Sequence, residues 1–557
     1  MNLNEKKMKL ISWVVLSSAL FLSFFFPWEM GGESWGYWSF TKILNETGHF
    51  VNLDRSPLYT LYLLPFSLIP YPYSTYLEYL LSMLIVLLAM NIFLVTEIKN
   101  VFAALVGTII WIPIFQSFEP PVQKLGLASV LLAFTLRNSN VFLKKYCIAY
   151  SLLILAYLLR PVYLFPLVFL ILYDFVIQIQ AIYRKEFVFN LKKTFSMLFV
   201  FSLLFLIQLT FSLNQIKDPW NNAMFGTSQW FPGGDDLFSI GLIQAISWHY
   251  IPIKYGTFDN YDFWQTQKEL FGNAVTFTGM IKANPSFLVE FFVWNTIRLI
   301  RAVTWNFPNM GLVGYKDLFF RMVLIGLTVW GIFRFSKKRL FFQVKMLSLC
   351  VSAFICIINW PATRYMMPLT PLISLSAYYY FTSVKINPIA IKLIAGCFIL
   401  VFFFFQPLFE WGRKLRQVGI DYFVDGQPKI LTSRIRSMSS VHNELGKYVH
   451  GCSGIMSLEY SYLFAFFSIP REIIFDLWEI PPFGSLGKSE YKGLRRDRID
   501  CLFISNGLET GIGMGTNQKL RYLNYIKPYA DYLLSQGAMV SNINGYGKVI
   551  FFEQENR

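Results

Sequence analysis

Read for the spacing of its apolar residues, the chain falls into two unequal parts. As far as residue 409, apolar runs follow one another with short polar breaks; from 410 the pattern is that of an ordinary water-soluble fold. A helix needs about 20 apolar residues to cross the hydrocarbon core of a bilayer. Eleven runs approach or reach that length, near 9–28, 74–96, 101–118, 122–137, 145–160, 162–180, 194–214, 318–335, 340–358, 366–384 and 388–408. The pattern predicts an α-helical polytopic membrane protein with about 11 transmembrane helices.

Two longer polar stretches interrupt the runs, at 29–73 and 215–317. In the first, Ser56 suits an N-cap and Pro57 the first helical position, which predicts a short amphipathic helix from Pro57 to about Leu68 on the membrane surface. The residues before it read as a loop. In the second, Phe287, Leu288, Phe291, Phe292, Trp294, Ile297, Leu299 and Ile300 predict an amphipathic surface helix, or a pair of them, over 284–305, whereas the Gly-, Asp- and aromatic-rich part before it has no helical period. Beyond 410, HNELGKYVH (helix), GIMSLEY (strand), CLFISN (strand) and NQKLRYLNYIKPYADYLLSQ (helix) precede a hairpin pair around Asn544-Gly545. That alternation predicts a small α/β domain over 410–557, appended to a membrane domain over 1–409.

Composition agrees: 55% of residues are hydrophobic and only 15% charged, with mean hydropathy +0.45, which excludes a water-soluble globule of this length. The net charge of +16 invites a nucleic-acid partner, but most of it has a plainer use. If the N-terminus is cytoplasmic, sixteen Lys and Arg, from Lys6 to Lys385, fall in short inside loops, against four in short outside turns (Arg55, Lys124, Arg160 and Arg364). That bias sets orientation and leaves no call for nucleic acid. An odd number of spans then puts the C-terminal domain outside, in the periplasm of a cell whose inner (plasma) membrane holds the spans. The first apolar run lacks a small-residue cleavage site and reads as an uncleaved anchor. Cys452 and Cys501 share the exterior domain, where a disulfide is permitted although no spacing rule requires one.

Candidate chemistry gathers in the outside segments. Glu33 precedes Tyr37 by four residues, Asp54-Arg55 precede the surface helix that holds Tyr59 in its first turn, and Glu119, Arg160 and Arg364-Tyr365 stand in three further turns. By the predicted topology all share one membrane face, so carboxylates and arginines can converge on one cavity. Taken singly, each arginine reads as an interfacial anchor and each carboxylate as a solvated loop residue. Two carboxylates without a histidine cluster make a weak metal site; a divalent cation between Glu33 and Glu119 stays an open alternative, and no other cofactor is indicated.

With these segments (GGESWGYW, RSPLYTLYLLPF, Glu119 and RYMMPLTPL) the chain resembles the membrane-embedded glycosyltransferases of the GT-C class that use polyprenyl-phosphate sugars, among them the protein O-mannosyltransferases and the lipid A aminoarabinose transferase. The resemblance covers about 1–410 in layout. It departs at Ser56, where a first proline is frequent, and at Glu33, where many members carry Asp. It implies a GT-C-like fold and transfer of a sugar from a polyprenyl-phosphate donor to a hydroxyl of a glycan, lipid or protein acceptor at the outer face. Glu33 would serve as base and Glu119 would orient the acceptor. Arg160 and Arg364 would balance the donor phosphate, with Tyr37, Asp54, Arg55, Tyr59 and Tyr365 lining the substrates. A single displacement with one base inverts the anomeric centre. The rivals are a polytopic transporter or lipid flippase, and an oligosaccharide ligase or polymerase using a lipid-diphosphate donor.

Overall fold

The computed structural model describes residues 32–51, 57–117, 121–141, 143–183, 268–272, 276–303, 340–358, 363–383, 431–457, 460–467, 469–470, 474–476, 500–506, 522–544 and 546–552, with scattered positions between 13 and 18 and between 202 and 274. In the membrane part the elements are α1 (Gly32–Thr47), β1 (Phe50–Val51), α2 (Pro57–Leu63), α3 (Tyr73–Ile98), α4 (Val101–Ile109), α5 (Ile112–Ser117), α6 (Val122–Arg137), α7 (Ala149–Leu159), α8 (Leu164–Tyr183), β2 (Gln215–Ile216), α9 (Phe277–Ala283), α10 (Pro285–Val303), α11 (Leu340–Phe354) and α12 (Leu369–Ser383). The C-terminal part adds α13 (Leu431–Val449), β3 (Ile455–Ser457), α14 (Tyr460–Phe466), β4 (Ile474–Asp476), β5 (Cys501–Ser505), α15 (Lys527–Ser535), β6 (Met539–Ile543) and β7 (Gly547–Phe551).

Among the described residues three helical stretches, not eleven, are long and apolar enough to cross a bilayer: Tyr73–Ile98, Pro161–Tyr183 and Leu340–Ile357. The run at 101–118 is broken at Ile110-Trp111 into α4 and α5, because Pro113 fits a first helical turn and not a helix interior. The run at 122–137 is a 16-residue helix, and that at 145–160 is a π-turn over Leu143–Ile148 leading into the 11-residue α7. The runs at 318–335 and 388–408, and nearly all of those at 9–28 and 194–214, lie outside the described residues.

One continuous core joins α3, α6, α7, α8, α11 and α12. Ala89, Ala128, Ala133, Ala149 and Ala156 are fully buried in it, small side chains that let helix backbones approach closely. On the outside of α8, Leu164, Val168, Leu172 and Phe175 form an exposed apolar stripe at helical spacing, a face suited to lipid. The surface helix predicted over Pro57–Leu68 is α2 as far as Leu63, then a 3-10 turn over Phe66–Leu68 beyond Pro65. The second amphipathic helix is α10, anchored where Asn295 Nδ2 donates to the Ile357 carbonyl at the end of α11 (2.8 Å). Tyr250 and Ile251, in the stretch read as loop, are helical and buried against α10.

The C-terminal part is the small α/β domain that the pattern foresaw, with one strand, β4, that it did not. Five strands lie in the order β4-β3-β5-β7-β6, the first three parallel and the hairpin β6–β7 antiparallel. Ile455, Cys501, Phe503 and Val549 face α13 and α14. Met456, Leu502, Ile504 and Ile550 face α15, the two-residue alternation of a sheet covered on both sides. Cys452 and Cys501 are disulfide-bonded, joining the turn before β3 to the start of β5.

The stretch before α2, read as a loop, is largely the helix α1. Its partner is remote in sequence: α14 of the C-terminal domain lies along it. Trp35 packs on Tyr462 (5.0 Å between ring centroids) and on Phe466 (5.6 Å). Lys42 Nζ donates to the carbonyls of Phe464 (2.9 Å) and Phe467 (3.0 Å), capping the end of α14. Beyond α1, β1 pairs in parallel with β2, so the two long polar stretches meet.

Candidate functional site

The C-terminal domain, α1 and α2 close over one end of the helical bundle. That end is formed by the first turns of α3 and α6, the last turn of α7 and the 3-10 turn Pro161–Tyr163 that opens α8. Pro57 and Pro121 set the starts of α2 and α6, and Pro161 ends α7 after Leu159, so each polar side chain sits where a helix begins or stops.

Tyr59 and Glu78 meet at the centre. Both are buried, and the Tyr59 hydroxyl donates to Glu78 Oε1 at 2.9 Å. Tyr37 closes on Tyr59 edge to face, with centroids 4.7 Å apart, and Tyr62 stacks on its other side at 5.6 Å. Burial, and next to it the Glu78 carboxylate, push the phenols of Tyr59 and Tyr62 well above their ordinary range, which keeps both protonated. On α6, Lys124 is fully buried, its ammonium 4.4 Å from the centre of the Tyr79 ring. Tyr163 donates to the backbone carbonyl of Gln123 at 3.1 Å, which docks the turn carrying Arg160 against the start of α6. That docking needs Gly126: a Cβ there would stand 2.4 and 2.7 Å from the Tyr163 ring.

The predicted site residues divide as follows. Tyr37 and Tyr59 are buried in this cluster, and Arg160 is half-buried beside it as the C-cap of α7. Glu33 lies on α1 one helical turn before Tyr37, and Arg364 lies in the 3-10 turn Thr363–Met366 with half-buried Tyr365. That turn and the turn after Arg160 both pack against α11. Asp54, Arg55 and Glu119 lie outside the described residues. Two charged residues are central that the pattern does not mark as site residues: Glu78, inside an apolar run, and Lys124, which weighs only in the loop-charge bias. The available signal was an ionisable residue within a turn or two of the start of an apolar helix.

The opposite end of the bundle carries a second polar layer. Arg137, ending α6, pairs with Asp174 of α8, whose other oxygen accepts from Tyr150 at 2.6 Å; Lys345 of α11 pairs with Glu97 at the end of α3. All four charged side chains are buried and matched in sign.

Among the described residues the one group with metal-ligand potential is Cys452, Asp500 and Cys501. Both sulfurs are in the disulfide, and Asp500 accepts from the amides of Ser453 (3.0 Å) and Gly454 (2.9 Å), so its chemistry is that of a structural turn. Comparison with protein-family models, with curated proteins and with solved structures finds no match.

Proposed function

We propose that this protein is an integral membrane glycosyltransferase of GT-C-like design, with about eleven spans, that transfers a sugar from a polyprenyl-phosphate donor to an acceptor hydroxyl at the outer face. The observation that supports it best is the cluster of Tyr37, Tyr59, Glu78, Lys124 and the Arg160 turn under one roof at one end of the bundle. These residues come from separate polar breaks and helix ends and meet at one end of the bundle, and a lipid-anchored donor would need such a rim site for its anomeric carbon.

The reaction follows from the groups available. The acceptor oxygen forms a bond to the anomeric carbon while its proton passes to the Glu33 carboxylate, and the bond from that carbon to the phosphate oxygen breaks. The polyprenyl phosphate leaves with the electron pair. Its second pKa is near 6, so it departs unprotonated when cations balance its charge. Arg160 and Arg364 supply guanidinium forks, and Lys124 adds a positive charge held in a site of low dielectric. Glu78, hydrogen-bonded to Tyr59, holds the tyrosine roof in register; Glu119 orients the acceptor. Attack from the face opposite the leaving phosphate inverts the anomeric centre.

A transporter or flippase is the second reading, and the buried pairs Arg137–Asp174 and Lys345–Glu97 are what favour it, because buried ionisable groups at one end of a bundle can line an ion path. A radiolabelled polyprenyl-phosphate sugar, added to membranes containing the protein, separates the two. The transferase reading expects label in an acceptor, with Arg364→Lys lowering turnover at unchanged protein level because a point charge cannot replace the fork. Donor translocation without transfer would overturn it.

A further inference from the structure

A cleft separate from the Tyr59–Glu78 cluster opens between the start of α3 and the C-terminal domain. It has a volume of about 490 Å³ and is lined by Tyr73 of α3 and by Ser439, Ser440, Asn443, Glu444 and Lys447 of α13. That volume lies within the roughly 300–1,000 Å³ of small-molecule sites. Among the described residues the lining has no aliphatic side chain: it offers hydroxyls, an amide, a carboxylate, an ammonium and one phenol.

We infer that this cleft binds a saccharide, as the acceptor subsite of the transferase; this deepens, and depends on, the function proposed above. Three features select that ligand. The Ser, Asn, Glu and Lys side chains recur at three- and four-residue steps along α13, so they form one continuous row of donors and acceptors. Opposite them Tyr73, half exposed, is the one aromatic ring among the described lining residues. A sugar ring has that same division, hydroxyls around its edge and an apolar C–H face. One carboxylate and one ammonium leave the lining formally neutral, which selects neither a phosphate headgroup nor an acidic peptide.

Position supports the acceptor role. Tyr73 is the first residue of α3, the helix that carries Glu78 on another face. Next to the cleft, His442 of α13 packs on Tyr71 at 4.9 Å and on Phe467 at 4.3 Å, and Tyr71 packs on Phe466 at 4.7 Å. Phe466 in turn contacts Trp35 and Trp38 of α1, so a continuous aromatic wall runs from the cleft to the helix that carries Glu33.

The test is binding to the purified full-length protein in detergent, with oligosaccharides released by mild acid from the source cell's own envelope polysaccharide as probe. Tyr73→Ala removes the platform, and Ser440→Trp fills the cleft from an exposed position. Each is expected to weaken retention at least tenfold while binding of polyprenyl phosphate is unchanged, and to raise the acceptor KM with kcat nearly constant. Wild-type retention in both variants, with the Cys452–Cys501 bond intact, would overturn the inference, as would retention of a tryptic peptide mixture in preference to the sugars. Because retention needs no turnover, the two readings fail separately. Retention lost in the variants without any sugar transfer by the wild type would overturn the transferase and leave a saccharide cleft. Transfer with an unchanged acceptor KM in both variants would overturn the cleft alone.

Discussion

At Gly126 an added methyl group would stand 2.4 Å from one ring carbon of Tyr163, a residue only 1% exposed. Gly126→Ala therefore displaces Tyr163, breaks its bond to the Gln123 carbonyl and shifts the turn that carries Arg160. Overpacking of this kind costs about 1–3 kcal/mol. The expected outcome is a protein that still reaches the membrane, melts earlier in detergent and has a raised donor KM; an unchanged donor KM would separate Tyr163 from the site. Residues of this cluster were legible in different degrees. Tyr37 stood out by its place four residues after Glu33, and Tyr59 by the resemblance of RSPLY to a Pro-Leu-Tyr surface helix. Lys124 was counted among the charges of an outside turn, because a sequence does not tell whether the third residue of a helix turns into the bundle or away from it. Glu78 was hidden inside an otherwise apolar run, where a single carboxylate hardly changes the pattern.

At the level of elements, the second polar layer ties α6, α7 and α8 to one another through Arg137, Tyr150 and Asp174, and α3 to α11 through Glu97 and Lys345. Removing one partner of a buried pair leaves an uncompensated charge and costs about 3–5 kcal/mol, while replacing both by apolar residues is close to neutral. Asp174→Asn is thus expected to destabilise the protein in detergent by that amount, and Arg137→Met with Asp174→Leu to recover most of it, both measured by thermal unfolding. If the double variant stays folded yet loses all activity, the pair has a role in function and the transporter reading gains. The strands and helices of the C-terminal domain were legible because each has a clear period and turn residues at its ends. α1 was not: its apolar residues answer to α14, more than 400 positions away, and Gly31-Gly32 with scattered polar residues masked its helical period. The division of 101–118 was missed because the count weighed hydropathy and not Pro113.

For the whole molecule, two polar layers bound an apolar body. Glu78 and Glu97 lie 19 residues apart on α3, about 28 Å at the helical rise, close to the ~30 Å of a bilayer's hydrocarbon core. That separation is what a membrane lying between the two layers requires, and the C-terminal domain packs at the Glu78 end. Single cysteines at Lys527 of that domain and at Lys144, before α7, should differ in intact cells: an impermeant maleimide labels the first and not the second. The reverse pattern would turn the site toward the cytoplasm and remove its access to an outward-facing donor.

The role of Glu33 is the claim on which the account turns, and it is tested most directly by the transfer rate of Glu33→Gln with a radiolabelled polyprenyl-phosphate sugar. Glutamine keeps the size and hydrogen bonding of the side chain but cannot take the acceptor's proton. The account predicts a rate lower by about 10²–10⁴-fold, with donor affinity and thermal stability little changed and a milder loss in Glu33→Asp. Near-normal transfer by Glu33→Gln, with Glu119→Gln or Glu78→Gln inactive, would give the base to another carboxylate; normal transfer by all three would contradict the account.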